Sequence, residues 1–268
     1  MSLIHKTTTN NPAAFQKAKR LNLFNILKKT YRKILKNGIE IGGFFFYTHF
    51  LNYLYQFKKK KLFYCNLCNL ESSYFLNTSN KTKMLMNSIC PNCSGRKRHR
   101  GLYEEYKNRL NSLKNPNILH FAPEPVFYSL LKNFNYSTAD LELNDVDYKY
   151  NIQDIDCKSN SFDLILCNHV LEHVKDDILA LNDLKRILKP SGKLIFTVPG
   201  NWNRNDTVNF EKLDDNGHFR DYGLNLIIEL EKIFNVVETV DLYKYNNKYN
   251  LELGLTINHD LAFICQKK

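Results

Sequence analysis

The sequence predicts an α/β protein built on a mostly parallel sheet with helices on both faces. Three observations predict it. From residue 117 onward, short apolar runs alternate with longer segments of helical periodicity. One of those runs, "FDLILCN", is strongly apolar, and buried apolar strands alternating with helices are the pattern of a sheet covered on both sides. The chain has 268 residues and 43% hydrophobic content, enough for one such domain and a smaller attachment.

The elements follow in order. Residues 1–10 are polar, and a disordered tail is expected there. Asn11 followed by Pro12 is a good helix start, with a capping side chain and proline at the first helical position. Leu21, Phe24, Leu27, Tyr31, Ile34 and Leu35 then recur at helical spacing, with lysines and arginines on the other faces. Gly38, Gly42 and Gly43 are expected to break that helix. An aromatic stretch over 41–57 ends in the four lysines 58–61. After residue 117, "NILHFA" reads as a first strand, "PVFYSLLKNF" as a helix, "YSTADL" as a second strand and "DYKYNI" as a third. "FDLILCN" is a strongly apolar fourth strand, and "DDILALNDLKRILK" is a helix with Ile178, Leu181, Leu184 and Leu188 on one face. "GKLIFTVP", the helical "LNLIIELEKIF", "NVVETVDLYKY" and "LAFICQK" complete the pattern.

Charge is unevenly spread. The net charge is +11, yet residues 1–64 hold thirteen Lys/Arg and one acid, Glu40, so the remainder is close to neutral. Such a basic segment suggests an anionic partner, either phospholipid or RNA, contacted through residues 1–62. The alternative is an amphipathic helix packed on its own domain. The N-terminus lacks the apolar core of a secretory signal. The stretch 41–57 is interrupted by Thr48, His49, Asn52 and Gln56 and falls short of the roughly 20 apolar residues that span a bilayer. A cytoplasmic protein, possible contact with a membrane surface included, is the expectation.

Seven cysteines are present, four of them in Cys65-Asn-Leu-Cys68 and Cys90-Pro-Asn-Cys93. An odd count with paired spacing reads as metal binding in a reducing compartment rather than as a disulfide framework. Each pair can place two thiolates on one turn, and two such turns make a tetrahedral four-sulfur site for a structural zinc. The polar sequence between them suits a small ribbon. The basic run 96–100, "RKRHR", reads either as a nucleic-acid patch or as a connector.

In doubly wound sheets, ligands sit beyond the carboxyl ends of the strands. There this chain shows Phe121, Ala122 and Glu124 after the first strand, Asp140 after the second, and Asn151, Ile152 and Asp154 after the third. Asn168 and His169 follow the fourth. No glycine occurs between Gly101 and Gly192. Dinucleotide loops need glycine for backbone N–H groups to approach a pyrophosphate, so such a ligand is disfavoured. Carboxylates suit instead a ligand with ribose hydroxyls and a cationic amine but no phosphate, which describes S-adenosylmethionine.

Residues 160–200, with the Phe-Asp strand, the Leu-Glu-His turn and the Leu-Lys-Pro-Ser-Gly-Lys break in order, resemble the middle of a class I S-adenosylmethionine-dependent methyltransferase. More narrowly, the chain resembles a subgroup with a zinc-ribbon-like segment before the catalytic domain. The matching motifs are Leu119 to Glu124, Arg98 to Arg100, and His218-Phe219-Arg220-Asp221-Tyr222-Gly223. The resemblance covers about residues 63–268. It implies a Rossmann-like, seven-stranded, mostly parallel sheet with the last strand antiparallel. It also implies cofactor contacts at Phe121, Ala122, Glu124, Asp140, Asn151, Ile152, Asn168 and His169. Three departures stand out. His120 occupies the position of a usual acid, Asn151 that of another, and "DTVNF" keeps only Thr207 of a Thr-Tyr-Glu element.

The expected organisation is a basic helical segment (1–62), a zinc-ribbon-like module (63–100; Cys65, Cys68, Cys90, Cys93) and a methyltransferase domain (101–268). A methyl on sulfonium is already activated, so transfer requires an acceptor held in line. A hydroxyl acceptor also needs a base, for which His169 and His218 are candidates, with His173 as a packed neighbour. Arg220 and Tyr222 are candidates for binding the acceptor, a small molecule or a glycan precursor. An RNA methyltransferase, or a non-catalytic scaffold on the same fold, are the alternatives.

Overall fold

The computed structural model describes residues 21–80, 83–249, 251–256 and 260–267. The tail over 1–10 and the helix start at Asn11-Pro12 lie outside the described residues. The chain divides into two compact units, one holding residues 21–106 and 242–256, the other residues 107–241 and 260–267.

The first unit opens with helices α1 (Leu23–Asn37) and α2 (Ile39–Tyr55). The Asn22 side chain accepts from Phe24 N at 2.8 Å and caps α1. Of the three glycines expected to break this region, only Gly38 does so, at φ 88°. Gly42 and Gly43 lie inside α2. Gly42 is there because α1 passes too close for a side chain: a Cβ would sit 2.1 Å from Ile34 Cγ1. The aromatic stretch is thus one helix to Tyr55, and two of its polar interruptions, Thr48 and Asn52, are buried. Asn52 donates to Asn77 O and accepts from Asn77 N, both at 2.8 Å, as a neighbouring strand would. The apolar stripe of α1 is not its buried face. Ile26 and Thr30 are buried, whereas Phe24, Leu27, Tyr31 and Leu35 are 50–71% exposed.

Two antiparallel hairpins follow, β1 (Phe63–Cys65) with β2 (Leu70–Ser72), and β3 (Leu76–Asn80) with β4 (Lys83–Ile89). Helix α3 (Lys97–Leu110) begins inside the basic run. Arg100 is fully buried: it donates to the carbonyls of Leu253, Gly95 and Asn87 at 2.6, 2.9 and 3.0 Å, and lies over the Phe75 ring. Glu104, also fully buried, accepts from Asn66, Lys248 and Tyr249. Those hydrogen bonds outweigh burial and hold its carboxyl below the usual range. They also tie residues 242–256 to this unit.

The second unit is built on β5 (Asn117–Phe121), helix α4 (Tyr128–Leu131), β6 (Asn135–Ala139), β7 (Phe162–Asn168), helix α5 (Asp177–Ile187) and β8 (Leu188–Thr197). The short β9 (Val208–Asn209) and β10 (Arg220–Asp221), helix α6 (Asn225–Ile233), β11 (Val236–Asp241) and β12 (Leu261–Gln266) complete it. The main sheet runs β11-β12-β8-β7-β5-β6. Strands β6, β5, β7 and β8 are parallel neighbours, and β12 is antiparallel to both β8 and β11. Four consecutive residues of β7, Leu164 to Cys167, are fully buried, so both faces of the sheet are covered. Leu181, Leu184 and Leu188 join the core, while Ile178 is 38% exposed.

Seven strands were expected and six form this sheet among the described residues. The missing one is "DYKYNI". Its Tyr148 makes only a single parallel bridge to Ala139, and its two tyrosines stack on each other, ring planes 2° apart. Polar residues alternate with those tyrosines, so little apolar surface drives the segment into a ladder.

The glycine pair in α2 yields a prediction. Gly42→Ala should destabilise the chain by about 1–3 kcal/mol through overpacking. Gly43→Ala, where a Cβ meets nothing within 4 Å, should stabilise it by about 0.5–1 kcal/mol. Urea unfolding of the two variants checks both signs.

Candidate functional site

The chain runs from β5 outward to β6 and then returns to β7 on the other side of β5. The carboxyl ends of these three strands therefore border the point where strand order reverses, where such sheets bind ligands. Phe121 ends β5 and is buried. Ala122 follows in left-handed backbone, φ 47°, and its N–H donates to Ala139 O at 2.9 Å. His169, just past β7, also has positive φ, 52°. L side chains rarely adopt this region, and two such residues at one sheet edge mark imposed rather than relaxed geometry. The turn needs a left-handed residue, and this chain supplies alanine where glycine would be relaxed.

Glu124 and Asn168, 44 residues apart, meet here: the Asn168 amide donates to Glu124 Oε2 at 3.0 Å. Thr197 at the end of β8 donates to Asn168 Oδ1 at 3.3 Å. Asp140 follows β6, and its Oδ1 accepts from Glu142 N and Leu143 N at 2.7 and 2.8 Å. This fixes the loop and leaves Oδ2 without a protein hydrogen bond among the described residues. Ile152 is buried in the core; Asn151 is exposed, its Oδ1 accepting from Gln153 N. His120 is fully buried in β5, its Nδ1 3.1 Å from the Tyr136 hydroxyl. Burial raises the Tyr136 phenol above its ordinary range.

The histidines converge on a residue to which the sequence assigned no role. Glu172, in the turn Leu171–His173, is fully buried. His169 Nδ1 lies 3.1 Å from its Oε1, and His173 Nε2 lies 4.0 Å from the same oxygen. His173 and His218 pack edge to face with ring centroids 4.8 Å apart, and His218 Nδ1 is 3.2 Å from Asp214 Oδ2. The Leu-Glu-His run marked the turn, but no spacing rule aims its glutamate inward.

Arg220 and Tyr222 turn to the protein itself. The Tyr222 hydroxyl donates to Asp177 Oδ2 at 2.8 Å. Arg220 is ion-paired with Asp177 and donates to Lys175 O at 2.6 Å and Val174 O at 3.2 Å. Both are buried. Burial and the Asp177 charge push the Tyr222 phenol far above its ordinary value. Thr207 is likewise engaged, donating to Asn225 Oδ1 at 2.7 Å.

In the other unit the two Cys-x-x-Cys turns come together. Cys65 Sγ is 3.6 Å from Cys93 Sγ, and Cys68 Sγ is 3.8 Å from Cys90 Sγ. All four sulfurs lie within 4.8 Å of one another. A tetrahedral shell with Zn–S of about 2.3 Å has sulfur–sulfur edges of about 3.8 Å, so the donors fit zinc as they stand. Gly95 N donates to Cys93 Sγ at 3.4 Å.

A family described as a methyltransferase domain matches residues 94–254, more than half of the chain. An uncharacterized protein of Methanocaldococcus jannaschii is 45% identical over 80 residues, 27% of this chain, and the match spans only 35% of that relative. Among solved structures, Burkholderia thailandensis 1,6-didemethyltoxoflavin-N1-methyltransferase with bound S-adenosylhomocysteine is 16% identical. It covers 64% of this chain and 78% of its own, with a TM-score of 0.45. A SAM-dependent methyltransferase from Archaeoglobus fulgidus is 14% identical, covering 62% and 93%, with a TM-score of 0.44.

The buried Asp177 contacts can be tested by a double-mutant cycle. Asp177→Ala leaves the Arg220 charge unmatched and should cost about 3–5 kcal/mol. Adding Arg220→Met should return part of that loss, measured as urea-unfolding midpoints of the single and double variants.

Proposed function

The chain belongs to the methyltransferase-domain family, and from that premise we propose that it moves the methyl of S-adenosylmethionine to a hydroxyl of a small-molecule or glycan acceptor. The observation that carries this reading is the carboxylate-edged, glycine-free crevice at the ends of β5, β6 and β7. Asp140 Oδ2 is available to accept from the ribose hydroxyls. Glu124, hydrogen-bonded by Asn168, is the carboxylate assigned to the cationic methionine ammonium. Phe121, Ala122, Asn151 and Ile152 line the remaining turns, and the exposed Asn151 amide is suited to the adenine amine. None of these groups replaces the N–H cradle that a pyrophosphate demands.

His169 is assigned as the base. Glu172 can only accept at Oε1 when ionised, so His169 Nδ1 carries the proton and Nε2 keeps its lone pair. The acceptor O–H gives its proton to that nitrogen, and its oxygen pair attacks the methyl carbon in line. The carbon–sulfur bond breaks toward sulfur, releasing neutral S-adenosylhomocysteine. Arg220 and Tyr222 act on the acceptor indirectly, by pinning the loop that carries His218 to Asp177. Cys65, Cys68, Cys90 and Cys93 hold a structural zinc, whose closed four-sulfur shell leaves no position for substrate.

The buried state of His99 and Arg100 supports a small acceptor over RNA, because two of the five residues in the basic run are unavailable to phosphates. The basic helix α1 favours a lipid partner. Phe24, Leu27, Tyr31 and Leu35 form an exposed apolar stripe, bordered by the exposed Lys28, Lys29, Arg32 and Lys36. An apolar stripe flanked by cations suits the surface of an anionic bilayer rather than nucleic acid. No helix among the described residues is long and apolar enough to cross a membrane.

Two measurements test these readings. Asp140→Asn, which keeps a side-chain oxygen to accept from Glu142 N and Leu143 N but replaces the second oxygen by a donor, should weaken S-adenosylhomocysteine binding about 10- to 100-fold by calorimetry, the loss of charged hydrogen bonds, while leaving thermal stability near wild type. Unchanged affinity would remove the ribose assignment. In flotation, the chain should rise with phosphatidylserine vesicles and stay behind with neutral ones. Phe24→Ser/Leu35→Ser should abolish flotation, and equal flotation with both lipids would count against the stripe.

A further inference from the structure

Glu172 raises a problem that the methyl-transfer reading does not solve. Its side chain is fully buried, and its Oε2 has no hydrogen-bond partner among the described residues. No lysine or arginine pairs with it among those residues; its ion-pair neighbours are His169 and His173. A carboxylate withdrawn from water calls for a matching charge or hydrogen bonds in place of the water it lost. Something cationic belongs beside it.

The neighbouring histidines show what. His173 Nδ1 lies 3.1 Å from Gly217 O. A carbonyl only accepts, so Nδ1 carries the proton and Nε2, the nitrogen nearer Glu172, keeps a lone pair. His218 Nδ1 lies 3.2 Å from Asp214 Oδ2. Backbone N–H groups of His218 and Asn216 donate to Asp214, which favours its ionised form, so His218 Nδ1 is also a donor and its Nε2 is free. An imidazole whose far nitrogen is tied to a carbonyl or carboxylate is the arrangement that orients metal-ligating histidines. Ligand atoms of Glu172, His173 and His218 lie within 4.8 Å of one another. The backbone supports the grouping: Phe219 N donates to Glu172 O at 2.8 Å, holding the His218 loop against the Glu172 turn.

We propose that Glu172, His173 and His218 form a second metal site, distinct from the four cysteines and suited to a divalent first-row transition ion such as zinc or manganese. Two neutral imidazoles and one carboxylate are a borderline donor set that such ions accept, and three ligands leave coordination positions open. The site rests on the transfer reading only for its role. A hydroxyl oxygen bound at an open position loses its proton more readily, which helps His169 remove it. The ion keeps its oxidation state throughout. The favoured acceptor then carries a second oxygen beside the methylated one, able to chelate.

The test is metal stoichiometry of the full chain after equilibrium dialysis against zinc. Wild type is expected to hold two zinc ions per chain. His173→Ala and His218→Ala should each hold one, with second-site affinity at least tenfold weaker, and Glu172→Gln, which keeps shape but removes the charge, should behave alike. Cys68→Ser/Cys93→Ser should retain the other ion. S-adenosylhomocysteine titrations of the histidine variants should match wild type, which separates this proposal from the donor assignment. One zinc per wild-type chain, or two in the histidine variants, would overturn the second site whatever the donor titration gives.

Discussion

Parallel pairing of β6, β5 and β7 is the constraint on which the site depends. Because neighbouring strands point the same way, their carboxyl ends finish at one edge, and residues far apart in sequence finish there together. Glu124 and Asn168 illustrate it: the hydrogen bond between them exists only because β5 and β7 are in register from Ile118 with Leu164 to Phe121 with Cys167. A shift of one residue would turn every side chain of a strand to the opposite face. The apolar runs prevent that shift, since both faces of β7 are buried.

A second layer of control comes from charges removed from water. In one unit, Arg100 is surrounded by three carbonyls and an aromatic ring, and Glu104 by three donors. In the other, Arg220 and Tyr222 share Asp177. Each such group fixes a loop that could otherwise take many conformations, because leaving the charge unpaired costs far more than ordering the loop. Glu172 differs in that no lysine or arginine faces it and its Oε2 has no hydrogen-bond partner among the described residues, and buried groups left in that state tend to fall at functional sites.

The sheet was largely legible in the sequence. Long apolar runs such as "FDLILCN" mark buried strands whatever surrounds them, and the helix over "DDILALNDLKRILK" shows its periodicity openly. The twin Cys-x-x-Cys spacing likewise brought four sulfurs together as read. What failed is instructive. Gly42 looks like a helix breaker, but its reason is a partner helix at contact distance, which no local rule contains. "DYKYNI" has strand-forming tyrosines, yet they stack on each other instead of joining a ladder. Arg220 and Tyr222 were visible as a motif, but their partner Asp177 lies more than 40 residues earlier, in a helix first turn where acids are commonplace. Glu172 was visible only as one letter of a turn, since burial of a charge is a property of the folded chain.

The central claim is that the crevice selects its ligand by charge and by the absence of a flexible N–H cradle. Parallel calorimetric titrations of the intact chain with S-adenosylhomocysteine and with NADH test it most directly. Saturable binding of S-adenosylhomocysteine with no heat from the pyrophosphate compound is the predicted result. Binding of NADH in preference to S-adenosylhomocysteine would contradict it.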